Sequence, residues 1–101
     1  SEWKNIDVIY DRSVRIKICI PIKEENKLTC AWLTNLIASK VDEELEKTPG
    51  KKASKAGLRL ESAPQNIILD YWLSVPENRI SLLQDGQTLF ATPTQPQMPA
   101  G

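Results

Sequence analysis

The 101 residues carry 13 lysines and arginines against 13 aspartates and glutamates, so no global field draws the chain onto nucleic acid or an anionic membrane, and any electrostatic function has to be local. With 41% hydrophobic residues the length suffices for one domain with its own core, held without disulfides or a structural metal. Two cysteines and no histidine exclude a secreted disulfide framework, a four-ligand zinc site, a four-cysteine iron–sulfur cluster and any Cys-His or Ser-His catalytic pair.

In chain order, residues 3–11, WKNIDVIYD, set Trp3, Ile6, Val8 and Tyr10 in loose alternation with polar residues, and Asp11, Arg12 and Ser13 supply a tight reversal. The next segment, VRIKICIPI, alternates more strictly: Val14, Ile16, Ile18 and Ile20 share one face, and Arg15, Lys17 and Cys19 share the other. An opening hairpin is expected. Pro21 and the charged KEEN end its second strand, after which the Thr29 hydroxyl caps a helix over residues 30–47. Leu33, Leu36, Ile37, Val41 and Leu45 form its apolar stripe, while Asp42, Glu43, Glu44 and Glu46 take the outside. These consecutive acids point around the cylinder, which makes them a solvated face and not a pair of catalytic carboxylates.

Pro49 and Gly50 stop the helix, and Lys47, Lys51, Lys52 and Lys55 keep the following loop in water. Its glycines, Gly50 and Gly57, follow a helix and lack the spacing of a phosphate-binding loop, so no nucleotide is implied. Period two returns in LRLES. The Ile, Leu and aromatic content of NIILDYWLSV, residues 66–75, predicts a further buried strand. PENRISLLQ is expected to form a single helical turn or a wrapping loop, and Asp85-Gly86 to turn the chain into a last strand. The order predicts an α+β fold: a mixed four- to five-stranded sheet with one main helix packed across it, the β-grasp arrangement. The domain is expected to span residues 1–92, and the proline-rich, uncharged residues 93–101 to be a flexible tail or linker. The absence of an initiator Met suggests a domain of a longer polypeptide.

The span from residue 3 to residue 91 resembles a ubiquitin-like β-grasp domain. Its closing phrase, LDYWLSVPENRISLLQDGQTLFAT, reads as a strand, a short turn anchored by Leu82 or Leu83, and an acidic-Gly turn into the final strand. This ending is similar to those of Ras-binding domains and of coilin-type amino-terminal domains. The resemblance implies a protein-interaction module of a larger scaffold or adaptor that binds its partner through the sheet and an edge strand, or a domain that binds a Ras-type small GTPase. The chain finishes QMPAG where conjugated relatives carry a Gly-Gly tail, which speaks against attachment to lysines.

No catalytic group, cofactor or metal ligand set is expected, and three features remain for binding. Arg15 and Lys17 on the second strand either block unwanted strand pairing or meet an acidic partner. Trp32 lies beside the helical stripe and Trp72 next to Tyr71, so one large aromatic is expected to remain partly exposed as an interface candidate. Lys51, Lys52 and Lys55 offer contacts to phosphates, but without interleaved aromatics or net positive charge a nucleic-acid adaptor is the weaker alternative to a protein partner. An exposed edge also opens a route to self-association. No apolar run approaches the roughly 18 residues of a membrane span and no signal peptide is evident, so no membrane contact and an intracellular location, cytoplasmic or nuclear, are expected.

Overall fold

Strict alternation over the first twenty residues builds the hairpin. The computed structural model describes residues 2–47 and 57–94, with β1 at Trp3–Tyr10 and β2 at Val14–Pro21 paired antiparallel from Tyr10 opposite Val14 to Trp3 opposite Pro21. Asp11 and Arg12 make the reversal with φ of 47° and 65°, and the Ser13 N–H donates to the Tyr10 carbonyl at 3.0 Å. Ile6, Val8, Tyr10, Ile16, Ile18 and Ile20 are buried on the inner face. Position 4 also points inward, so Lys4 is buried and Trp3 lies on the outer face, which corrects the grouping of Trp3 with Ile6 and Val8. The Lys4 ammonium is neutralised by Glu25 and donates to the Leu83 carbonyl, as a buried cation requires.

Thr29 caps α1, Cys30–Glu46, by accepting the Trp32 N–H at 3.2 Å. Two further N–H groups of the first turn are taken from outside the helix: Cys30 donates to the Asn78 carbonyl at 2.8 Å and Ala31 to the Pro76 carbonyl at 3.1 Å. Cys30, Leu33, Ile37, Val41 and Leu45 face the sheet at spacings of three and four, and Leu36 is half-buried. Each fully buried leucine or isoleucine contributes about 1.5–3 kcal/mol relative to leaving it exposed.

β3, Leu58–Ala63, pairs antiparallel with β4, Thr88–Pro93, and β4 runs parallel to β1, giving the order β2-β1-β4-β3. The result is α+β, a mixed four-stranded open sheet with one main helix across one face, compatible with a β-grasp. Asp85 and Gly86 make the turn before β4; Gly86 has φ of 83°, its N–H donates to the Asn5 carbonyl at 2.7 Å, and Asp85 Oδ1 accepts the Asn5 N–H at 2.7 Å. Residues 80–82 form a single 3-10 turn with Ile80 and the adjoining Leu83 buried, as the sequence predicted.

A fifth strand in residues 66–75 is overturned: Ile67–Leu73 is a helix, α2. Asn66 caps it, its side-chain oxygen accepting the Ile68 and Leu69 N–H groups at 3.1 and 3.2 Å. Asp70 Oδ1 accepts both the backbone N–H and the hydroxyl of Ser62 at 2.7 Å, which satisfies the outer edge of β3 locally in place of another strand. Trp72 therefore lies on a helix and does not alternate with Tyr71 along a strand.

Two stability measurements follow. In urea denaturation Ile37→Ala costs about 2–5 kcal/mol, while Glu43→Ala on the outer face of α1 stays within about 0.5 kcal/mol; equal effects would reject this helix phase. Asp70→Ala leaves the Ser62 N–H without its acceptor and costs about 1–3 kcal/mol in the same assay.

Candidate functional site

Because β2 ends the sheet, its outer-face residues stand at an open edge. Arg15 is exposed opposite Ile9, Lys17 is exposed opposite Asp7, and Cys19 is exposed opposite Asn5. The pairing continues across the sheet, with Phe90 beside Ile9 and Thr88 beside Asp7 on β4, and Glu61 opposite Phe90 on β3. Arg15, Lys17, Asp7, Ile9 and Thr88 surround a shallow depression of about 310 Å³. Among the described residues neither Arg15 nor Lys17 forms a salt bridge, in contrast to Lys4 with Glu25 and Arg59 with Glu61 at 2.7 Å. Arg15 and Lys17 outnumber Asp7 around this depression, and the remaining positive charge can receive an anionic group while an aromatic or aliphatic group contacts Ile9.

Large apolar side chains accompany them. On the outer face Trp3 is 50% and Phe90 42% exposed. On α2, Leu69 and Leu73 enter the core, whereas Ile67, Ile68 and Tyr71 are 75, 79 and 72% exposed. Trp32 and Trp72 each keep part of the ring in solvent, although larger exposed apolar surfaces belong to Ile67, Ile68 and Tyr71. Both are half-buried against the core, and the Trp72 indole N–H donates to the Arg79 carbonyl at 2.7 Å. Lys51, Lys52 and Lys55 lie outside the described residues, as do residues 95–101 of the expected tail. Of the named candidates, Arg15 and Lys17 come together on one edge, while Trp32 and Trp72 belong to the α1–α2 side.

The two thiols sit on opposite faces of the sheet. Cys19 is exposed and donates to Asn5 Oδ1 at 3.2 Å; Cys30 is buried at the start of α1 with its Sγ 3.7 Å from the Trp72 carbonyl, and burial pushes its pKa up. Among the described residues no group of three or more His, Cys, Asp or Glu side chains is placed to hold a metal, and no helix is long and apolar enough to cross a membrane. No known protein family, curated protein or solved structure matches this chain.

Arg15 and Lys17 were legible from the alternation, whereas Asp7 and Ile9 face them only through the register of the hairpin, and Phe90 comes from a strand whose place beside β1 the alternation does not fix. Exposure and thiol chemistry make one labelling prediction: at pH 8 iodoacetamide alkylates Cys19 at least about tenfold faster than Cys30, because burial shields the Cys30 thiol from the reagent and raises its pKa. Mass spectrometry over time measures both rates, and equal rates would mean that the start of α1 opens freely.

Proposed function

We propose that this chain is a non-catalytic, ubiquitin-like interaction module of a scaffold or adaptor that binds a partner protein through the outer face of its sheet and the β2 edge. The observation that carries this reading is the pair Arg15 and Lys17, exposed and without a salt bridge on an open edge beside the Asp7/Ile9 depression. An edge strand offers unpaired backbone groups, and cations along it select an acidic partner and raise its rate of association. Trp3 and Phe90 add apolar area on the same face, the kind of side chain that anchors interfaces.

A second reading narrows the partner to a small GTPase of Ras type, favoured by the same basic edge, whose free backbone groups would extend the partner's sheet. Association with the GTP-bound form alone supports it, and equal binding of GDP and GTP forms removes it. Nucleic-acid binding through Lys51, Lys52 and Lys55 has no corresponding observation, since those residues lie outside the described part of the chain.

The test is charge reversal. Arg15→Glu with Lys17→Glu leaves the fold intact, because both side chains point away from the Ile16/Ile18/Ile20 face, and abolishes association with partners captured by the wild-type chain. Measured on a captured partner, the loss is largest near ~0.05 M salt and smaller near ~0.5 M, where the Debye length falls to about 4 Å. A folded double variant that retains wild-type affinity at both salts would reject the β2 edge as the binding surface.

A further inference from the structure

The other edge of the sheet carries a different surface. A hollow of about 760 Å³ lies between α1, β3 and α2, and its lining includes Ala31 and Thr34 of α1, Leu58 to Glu61 of β3, and Leu73 and Pro76. Consecutive β3 residues point to opposite faces of the sheet, Leu58 and Leu60 inward and Arg59 and Glu61 outward, yet all four border this one hollow. Only a hollow that runs along the edge of the strand meets both sets.

The backbone of that edge has a defined hydrogen-bonding state. Thr94 donates to the Gly57 carbonyl at 2.8 Å, which fixes the register: residues 57, 59, 61 and 63 exchange bonds with β4, and Leu58, Leu60 and Ser62 direct their N–H and C=O groups outward. Asp70 takes the Ser62 N–H. Among the described residues the outward groups of Leu58 and Leu60 have no partner, and they face the hollow. A row of free backbone donors and acceptors beside an apolar hollow specifies its ligand: an extended backbone with an apolar side chain on one side.

We propose that the β3 edge takes an extended, unstructured segment of a partner protein as a fifth strand, one or two of its aliphatic side chains filling the hollow over Leu58, Leu60, Leu73 and Pro76. A second copy of this chain fits poorly. Its own β3 has Leu60 buried and Leu58 half-buried against its own core, and its β2 likewise has Ile16, Ile18 and Ile20 buried and Val14 half-buried, so neither strand has a fully free apolar side chain to offer. A segment with no core of its own does. Arg59 and Glu61 neutralise each other, so Asp70 leaves one negative charge on the rim and favours basic flanking residues. This surface is separate from the β2 edge, and the experiment distinguishes the two.

The probe is a capped heptapeptide alternating lysine with aliphatic residues, Ac-KVKLKVK-NH2, titrated into the 15N-labelled full chain. Saturable shifts are expected at Leu58, Leu60, Thr34 and Ser74, with amide exchange at Leu58 and Leu60 slowed at least about tenfold. Ala31→Trp fills the hollow and weakens binding at least about tenfold, and Asn35→Trp, one turn along and exposed, does the same if Ala31→Trp fails to fold. Methylating alternate peptide nitrogens abolishes binding. Arg15→Ala with Lys17→Ala leaves the affinity within about threefold, because those residues lie on the opposite edge. The proposal is overturned if shifts appear only along β2, if neither filling variant changes the affinity, or if Leu58 and Leu60 are already protected in the free monomer. Protection that grows with protein concentration together with dimer formation overturns it in favour of self-pairing.

Discussion

A single α-helix cannot cover a four-stranded sheet. The outer strands of such a sheet stand about 14 Å apart, whereas a helix with its side chains is roughly 10 Å across, so α1 leaves part of the inner face to be closed by something else. In this chain the closure comes from α2 and the segment leading to β4, which contribute Leu69, Leu73, Ile80 and Leu83 to the core. The same segment delivers the Pro76 and Asn78 carbonyls to the first N–H groups of α1. Helix start and core closure are thus one event: the apolar contacts hold the carbonyls in place, and the hydrogen bonds fix where α1 begins. The hollow beside β3 is what this closure leaves open.

This geometry also explains which parts of the fold were readable. The hairpin, α1 and the last turn declare themselves because each signal is local: alternation in Val14 to Ile20, a hydroxyl at Thr29 ahead of a stripe, Asp85-Gly86 ahead of Thr88. α2 was hidden because its residues are apolar on both the buried and the exposed sides, so neither a period of two nor one of 3.6 stands out. The deciding signals were short and polar: the Asn66 cap and Asp70, whose partner Ser62 lies eight residues earlier on β3. The misplacement of Trp3 has a similar origin. A large aromatic outweighed the strict register set by Ile6, Val8 and Tyr10, under which the inward position belongs to Lys4.

The candidate surfaces divide along the same line. Arg15 and Lys17 could be named from the sequence because alternation alone puts them opposite the core. Asp7 and Ile9 face them through the register of the hairpin, whereas Phe90 and the β3 hollow arise from strand order and helix placement, which no local pattern encodes. Ile67, Ile68 and Tyr71 illustrate the converse, since hydrophobicity read as burial when the structure leaves those side chains in water.

The first and last strands, β1 and β4, are adjacent and parallel, with Asp7 beside Thr88 and Tyr10 beside Ala91. Residue 3 and residue 93 therefore lie at opposite ends of the sheet, about 30 Å apart at ~3.3 Å per residue. Tension applied between them runs along the strands, so the β1–β4 hydrogen bonds are loaded together in shear, and none can be peeled away first. A hairpin pulled at its two neighbouring ends opens one bond at a time. The strand order that brings β1 and β4 side by side thus gives this small domain a direction of mechanical resistance along the sheet.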